Sequence, residues 1–212
     1  MKFDPSLYLV LDPGFTRKRS VQDVLREAVE GGVTLVQIRE KNCSQQEFLD
    51  LAIQVAPLLK AYGIPLIIND RLDVAVRVGA EGVHLGQSDI HWSEARRLLG
   101  PQAIIGLSVE SEAQEAEAEG AAVDYLGVSS LFPTETKKDI RKVWGLEGLK
   151  TLRRSSSHRL VGIGGIDLEN AASALHAGAD GLALVSAITS ASSIRLSTQS
   201  FQQIIRGVRE ST

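Results

Sequence analysis

The chain contains one cysteine, Cys43, among 212 residues, and only 5% of its residues are aromatic. A single cysteine excludes an intrachain disulfide and is consistent with a reducing compartment. No apolar run approaches the roughly 20 residues that a membrane-spanning helix needs. The first apolar stretch, Leu7 to Leu11, is broken on its two sides by Pro5 and Asp12 and is too short for the core of a signal peptide. We therefore expect a cytoplasmic protein.

The sequence also lacks a strong excess of either charge. Its formal net charge is −3, and 23% of its residues are charged. This balance argues against a general affinity for nucleic acid or for an anionic membrane surface, so any positive charge that matters for function must be local. The 43% of hydrophobic residues is enough for a sizeable core.

Short apolar runs recur along the whole chain. Most are rich in Val, Ile and Leu without clean alternation, which is typical of parallel strands that are covered on both faces. The runs are LYLVL from residue 7, TLVQI from 34, PLIIN from 65, GVHLG from 82, AIIGL from 103, DYLGV from 124, RLVGIG from 159 and GLALV from 181.

Segments with helical spacing separate these strands. Residues 20–32 place Val21, Val24, Leu25, Ala28 and Val29 on one face, and residues 44–63 begin with a capping box of Ser44 and Glu47. Glycines in EGGVT, AYGIP, AEGAAVDY and AGADGLAL predict left-handed helix ends before the next strand. Eight near-equal βα units favour a single (β/α)8 TIM barrel over residues 1–212, in the α/β class. A doubly wound open sheet is the competing architecture.

Cationic side chains follow the second predicted strand. In VTLVQIREKN the alternate residues Val33, Leu35, Gln37, Arg39 and Lys41 share one face, which begins apolar and ends with two positive charges. Neither of these cations, nor Lys137 after the sixth strand, has an obvious anionic partner at the same level. In such barrels chemistry gathers at the carboxyl ends of the strands, so we expect a strongly anionic substrate there, most simply a diphosphate.

Two carboxylates follow the third and fourth strands. Asp70 and Asp89 are placed to hold Mg²⁺, which proteins usually bind through one or two carboxylates together with substrate phosphates. The alternative interpretation is that each aspartate caps the helix that follows it. His84, in the middle of the fourth strand, is predicted to be a packed, hydrogen-bonded histidine rather than a catalyst.

The ends of the last strands predict a second anion site. The glycines of IGGI allow close approach of the backbone, and the loops after the seventh and eighth strands are the usual barrel position for a phosphate monoester.

Taken together, the segments QIREK, NDRLDVA, GVHLGQSD, IGLS, FPTETK, VGIGGI and SAI closely resemble, in this order, the thiamine-phosphate synthase family. The resemblance covers nearly the whole chain. One departure is Ser129-Ser130, where family members often have a Gly-Pro pair. The resemblance implies a (β/α)8 barrel that joins a hydroxymethylpyrimidine diphosphate to a thiazole phosphate and releases pyrophosphate.

The resemblance also implies a site, residue by residue. One Mg²⁺ per subunit would be held by Asp70 and Asp89, and Arg39, Lys41, Ser108 and Lys137 would be the catalytic residues. The pyrimidine diphosphate would bind at Gln37, Ile38, Arg39, Glu40, Lys41, Asn69, Ser108 and Lys137. The thiazole phosphate would bind at Thr134, Glu135, Thr136, Gly165, Val185 and Ser186.

Three other functions compete with this one. A thiazole tautomerase would bind thiazole phosphate without needing a diphosphate and metal site. A non-catalytic thiazole-phosphate-binding barrel would be expected to lose the metal carboxylates. A sugar-phosphate isomerase would need an acid/base pair at the strand ends. Retention of Arg39, Lys41, Asp70, Asp89 and Lys137 favours the synthase.

Overall fold

Eight parallel strands close into a barrel in chain order in the computed structural model, which describes residues 3–134 and 143–211. Strand β1 pairs with β8, with Leu7 opposite Leu182, and this pairing closes the sheet. All eight strands predicted from the apolar runs are present. They are β1 (Leu7–Leu11), β2 (Leu35–Ile38), β3 (Leu66–Asn69), β4 (Gly82–Leu85), β5 (Ile104–Val109), β6 (Tyr125–Ser129), β7 (Arg159–Ile163) and β8 (Gly181–Leu184).

Helices alternate with the strands and surround the barrel. The capping box of Ser44 and Glu47 is formed at the start of α2, as predicted. A short 3₁₀ helix (Pro13–Phe15) follows β1. The α-helices of the described residues are α1 (Val21–Gly31), α2 (Gln45–Tyr62), α3 (Leu72–Val78), α4 (Trp92–Leu99), α5 (Glu112–Ala118), α6 (Gly145–Ser155), α7 (Ala171–His176), α8 (Ser186–Thr189) and α9 (Ile194–Glu210).

Three of the four predicted glycine helix ends are left-handed. Gly32 and Gly63 cap α1 and α2 with φ values of 104° and 68°, and Gly178, just after α7, has a φ of 110°. The prediction for Gly120 is wrong. Helix α5 ends in a right-handed turn in which the Ala121 amide donates to the Ala118 carbonyl over 2.8 Å, so no left-handed residue is needed there.

Side chains alternate between two cores along each strand. Tyr8 and Val10 of β1 belong to the core inside the barrel, whereas Leu9 and Leu11 belong to the core between strands and helices. Of the face predicted for residues 33–41, Leu35 lies in the inner core, but Val33 precedes the strand and packs in the outer one. No helix in the described part of the chain has the length and apolarity to cross a membrane.

Candidate active site

A cavity of about 330 Å³ opens at the carboxyl ends of the strands. Its volume lies within the range of pockets that hold small ligands. The side chains predicted at the ends of β2 to β5 line it, although they come from segments up to 71 positions apart in the chain, counted from Gln37 to Ser108. These are Gln37, Arg39, Lys41, Asn69, Asp70, Asp89 and Ser108.

Arg39 is held by an acidic residue at the end of β1. Its Nη1 lies 3.0 Å from Oδ2 of Asp12, and both side chains are largely buried. Asp12 also accepts a hydrogen bond from the Gly14 amide over 2.9 Å, and burial raises the pKa of its carboxyl. The expectation that Arg39 has no anionic partner is therefore wrong. The two residues are 27 positions apart, and the parallel pairing of β1 with β2 brings them together.

Lys41 also has an anionic neighbour, again contrary to expectation. Its Nζ lies 3.7 Å from Oδ2 of Asp70. Asp70 in turn interacts with the carboxylate of Asp89, and burial together with this neighbour raises the pKa of Asp70 to about 6. The charge of Lys41 and a hydrogen bond from Asn69 act in the opposite direction. Two acidic side chains thus meet at the cavity mouth with one lysine beside them.

Neither aspartate caps a helix, so the capping interpretation is wrong for both. The N-cap of α3 is Arg71, without a side-chain hydrogen bond, and Asp70 has a φ of 61° instead of the extended backbone of an N-cap. The N-cap of α4 is His91, whose side chain accepts from the Ser93 amide. Oδ2 of Asp89 instead accepts from the Gly86 amide over 2.7 Å, which tightens the turn after β4.

The donor set at this mouth fits magnesium. Hard cations prefer carboxylate oxygens, and the two carboxylates are adjacent, where they would repel each other without a counter-charge. In residues 3–134 and 143–211 no cluster of three or more His, Cys, Asp or Glu side chains could hold a metal ion. A metal at Asp70 and Asp89 would therefore need further oxygen ligands from a substrate or from water.

A second cavity of about 100 Å³ lies at the ends of β7 and β8. It is lined by Thr134, Gly165, Val185 and Ser186, four of the residues that the family resemblance implies for the thiazole phosphate. Helix α8 begins at Ser186, and the first N–H groups of a helix have no acceptor within it. This end of the cavity therefore suits a small anion.

Gly165 has a second role that the sequence did not indicate. Its φ is 65°, and a Cβ atom there would collide with the Pro133 carbonyl and lie 2.7 Å from Cβ of Phe132. The amide of Phe132 donates to the Gly164 carbonyl over 3.0 Å. The IGGI turn therefore supports the start of the loop after β6 as well as lining the small cavity.

The two cavities share a wall. Arg39 and Ser129 line both of them, and so do three apolar side chains: Val10, Ile163 and Ala183. The two cavities therefore lie next to each other, and Arg39 is the one cationic side chain that lines both among the described residues.

Some predicted site residues lie elsewhere. Ile38 is fully buried in the outer core, so only its backbone could reach a ligand. Oε1 of Glu40 accepts from the Asn42 amide over 2.7 Å, and Glu40 lines neither cavity. Glu135, Thr136 and Lys137 lie outside the described residues.

Several lining residues were not predicted as part of the site. Tyr8, His84 and Tyr125 reach the larger cavity from inside the barrel, and Gln87 reaches it from the turn after β4. His84 is packed and hydrogen-bonded, as predicted. The two tyrosines carry no sequence signal, because each is one apolar-type residue within a strand.

Comparison with known proteins assigns this arrangement to one family. The model of a family described as thiamine monophosphate synthase matches residues 7–188. A thiamine-phosphate synthase of Albidiferax ferrireducens is 50% identical over 202 residues, covering 95% of this chain and 92% of that protein. One of Syntrophomonas wolfei is 46% identical over 201 residues, covering 95% of this chain and 96% of that protein.

Solved structures agree with these sequence matches. Thiamine phosphate pyrophosphorylase of Pyrococcus furiosus superposes with a TM-score of 0.87 at 37% identity, over 97% of both chains. A structure described as native KDPGal superposes with a TM-score of 0.72 at 19% identity, over 97% of this chain and 96% of that one, and shares the fold alone.

Proposed function

The chain belongs to the thiamine monophosphate synthase family, and from that membership we propose how its two cavities share one reaction. Its function is thiamine-phosphate synthesis, and it acts on small molecules. The proposed substrates are 4-amino-2-methyl-5-hydroxymethylpyrimidine diphosphate and a thiazole phosphate, with or without a further carboxylate. Both cavities open at the mouth of one barrel, so we propose that residues 1–212 act as one catalytic domain.

The larger cavity would hold the pyrimidine diphosphate. Lys41 and Arg39 place two positive charges at its mouth, beside the carboxylates of Asp70 and Asp89. A Mg²⁺ ion held by these two carboxylates would neutralise charge on the departing diphosphate. Lys41 would then contact both Asp70, a proposed metal ligand, and the diphosphate. Its positive charge would stabilise the negative charge that develops on the leaving group. Lys137 is proposed as a further cation at the same group.

The smaller cavity would hold the thiazole phosphate. Backbone N–H groups at Gly165, Val185 and Ser186 would receive the phosphate, with the hydroxyl of Thr134 at the rim. Glu135 and Thr136 are proposed to extend this site. The cavity of about 100 Å³ is assigned to the smaller ligand, and the cavity of about 330 Å³, which Arg39 and Lys41 line, is assigned to the larger and more highly charged diphosphate.

The bond change would take place at the shared wall. The bond between the exocyclic methylene carbon and the diphosphate oxygen breaks, and its electron pair leaves with pyrophosphate. The aminopyrimidine ring carries the resulting positive charge until the thiazole nitrogen forms the new carbon–nitrogen bond. The chain's residues hold the two rings at the wall, so proximity supplies much of the acceleration. No side chain has to take a proton in this sequence of steps.

The shared wall is the observation that carries this proposal, because a synthase must bring two separately bound anionic substrates into contact. The test is release of pyrophosphate from the purified protein with both substrates and Mg²⁺, each omitted in turn. We expect release only in the complete mixture, with stoichiometric formation of thiamine phosphate.

Two results would contradict the proposal. Pyrophosphate release without the thiazole would indicate a hydrolase, because water would then replace the second substrate. Binding of thiazole phosphate without any release in the complete mixture would indicate a tautomerase or a binding protein.

A further inference from the structure

A chain of hydrogen bonds crosses the inside of the barrel beneath the larger cavity. Nε2 of Gln37 donates to the hydroxyl of Tyr8 over 2.7 Å, and this hydroxyl lies 2.9 Å from that of Tyr125. The Tyr125 hydroxyl lies 2.9 Å from Nδ1 of His84, whose Nε2 lies 2.8 Å from Oγ of Ser108. These residues come from β2, β1, β6, β4 and β5. Tyr8, Tyr125 and His84 have no role in the reaction as proposed above.

Two glycines make room for the rings of this chain. A Cβ atom at Gly106 would collide with the ring of Tyr125, and one at Gly127 would lie 2.9 Å from Cε1 of His84. Tyr125 also stacks against the imidazole, with ring centroids 5.5 Å apart and an interplanar angle of 27°. Because barrel interiors are closely packed, strands β5 and β6 admit these two rings only where they carry glycine.

The number of available protons sets the direction of donation along this series of hydrogen bonds. Each tyrosine hydroxyl has one proton, and either hydroxyl could donate in the Tyr8–Tyr125 bond. If no buried hydroxyl proton is left without an acceptor, a Tyr8 oxygen that accepts from Gln37 donates its proton to Tyr125. Tyr125 then donates to Nδ1 of His84, and with a neutral imidazole Nε2–H donates to Ser108. The Ser108 proton is left free to point into the cavity. Turning the Gln37 amide would reverse every bond at once.

Gln37 and Ser108, at the two ends of this series of hydrogen bonds, therefore present opposite hydrogen-bonding characters to the cavity. In the sense described, Oε1 of Gln37 is an acceptor and the hydroxyl of Ser108 is a donor. Within residues 3–134 and 143–211, Oε1 of Gln37 accepts no hydrogen bond, and both residues line the larger cavity. A ligand that fits both ends must itself carry one donor and one acceptor.

We propose that Tyr8, Tyr125 and His84 are positioning residues that orient Gln37 and Ser108 to recognise an aminopyrimidine ring. The proposal rests on the function assigned above to the larger cavity. Such a ring carries the matching pair, an exocyclic amino group as donor and ring nitrogens as acceptors. When the bonding pair leaves with pyrophosphate, positive charge spreads onto the amino group, so an acceptor oriented towards that group binds it more strongly in the transition state.

The test removes single hydroxyls and keeps the rings. We expect Tyr125→Phe to lower kcat/KM for the pyrimidine diphosphate by roughly tenfold, as loss of oriented hydrogen bonds implies. The KM for the thiazole phosphate should stay within about twofold of the parent value, because none of these hydrogen-bonded side chains lines the smaller cavity. Tyr62→Phe is the matched control, since Tyr62 is 46% exposed on α2 and should change neither constant.

A double-mutant cycle separates positioning from general loosening of the barrel. If Tyr125 acts through Ser108, the variant with both Tyr125→Phe and Ser108→Ala should lose much less than the product of the two single losses. Losses that multiply fully would overturn the proposal. If Tyr125→Phe does not fold, Tyr8→Phe combined with Gln37→Ala provides the same cycle at the other end.

The preference for a 4-amino group is a measurement that a purely structural role of Tyr125 would leave unchanged. Inhibition constants are measured for 5-hydroxymethylpyrimidines with and without the 4-amino group. The parent should prefer the amino compound, and Tyr125→Phe should reduce that preference; an unchanged preference would sink the proposal. If the parent itself releases no pyrophosphate in the complete mixture, the proposed function fails, whereas a working parent with an unaffected Tyr125→Phe variant refutes the positioning role alone.

Discussion

Nη1 of Arg39 lies 3.0 Å from Oδ2 of Asp12 at the wall that the two cavities share. The guanidinium is therefore held in place before any substrate binds. Because a preorganised charge needs no rearrangement during the reaction, this pair is expected to matter for both substrates.

Replacing Asp12 by Asn tests this pair. The amide oxygen can still accept from the Gly14 amide, so the turn after β1 should persist, but the charge that holds Arg39 is lost. We expect kcat/KM to fall by about tenfold for both substrates, with a melting temperature close to that of the parent. Steady-state kinetics with each substrate varied in turn measure the effect.

The control for this variant is Asp23→Asn. Asp23 pairs with Arg26 over 3.1 Å on the exposed face of α1. The substitution therefore removes the same kind of charge pair at a position away from the two cavities. Its kinetic constants should equal those of the parent. An Asp12→Asn variant that affects the KM of only one substrate would show that Arg39 serves one cavity.

Asp70→Asn and Asp89→Asn test the metal assignment. Because neither residue caps a helix, loss of a cap cannot account for any effect. Each variant should lose turnover by orders of magnitude, and high Mg²⁺ should restore part of it. In chelator, Asp70→Asn should melt no lower than the parent, since it removes repulsion between two neighbouring carboxylates. Activity assays across Mg²⁺ concentrations and thermal melts provide the measurements.

Asp50→Asn, an exposed acid on α2, is the control for net charge and should behave like the parent in both measurements. If Asp70→Asn or Asp89→Asn keeps the turnover of the parent at limiting Mg²⁺, that aspartate is not a metal ligand.

Gly165 and Gly79 form a matched pair for the small cavity. Their φ values are 65° and 64°, but a Cβ atom would collide with Pro133 only at Gly165 and would meet nothing within 4 Å at Gly79. Gly79→Ala should cost about 1 kcal/mol of unfolding free energy, with no kinetic effect. Gly165→Ala should cost more and should raise the KM of the thiazole phosphate.

Because Gly165 supports the loop after β6, Gly165→Ala should also raise the KM of the pyrimidine diphosphate. Denaturant melts and kinetics of both variants check this. If only the thiazole KM changes, the collision with Pro133 has no consequence for the larger cavity.

Glu119 provides a test of pH dependence at the opposite end of the barrel. Hydrogen bonds from the hydroxyl and amide of Ser157, together with one from Ser156, lower the pKa of Glu119 from its ordinary 4.5. A lowered folded-state pKa contributes stability above the unfolded pKa, and this stability is lost as the pH falls through the folded value. The parent should therefore melt above Glu119→Gln at pH 7, and the gap should shrink as the pH drops below about 4.5.

Thermal melts of the two proteins over that pH range measure the gap, and activity at pH 7 should be equal. A gap that widens in acid would mean that the carboxylate is not the stabilising form.

Much of the fold could be predicted because local rules are sufficient for it. The eight strands follow from short apolar runs bounded by turn residues, and the start of α2 follows from Ser44 and Glu47. The Gly120 prediction failed because a short right-handed turn can also end a helix, and composition does not distinguish the two. Ile38 and Glu40 were included because they lie within QIREK, although alternation along the strand turns their side chains away from the cavity.

The sequence by itself determined the order of strands and helices and the residue types at the strand ends, because each depends on neighbours within a few positions. It favoured the closed barrel only through the number of βα units, since the pairing of β1 with β8 that closes the sheet joins the two ends of the chain. Only the tertiary structure decided the partners of those residues. Arg39 meets Asp12 and Asp70 meets Asp89 because neighbouring strands pair side by side. Tyr8 and Tyr125 join His84 to Gln37 because closing the sheet brings side chains from distant strands together inside the barrel. Contacts of that kind depend on register and on the space left by Gly106 and Gly127, and no local pattern in the chain encodes them.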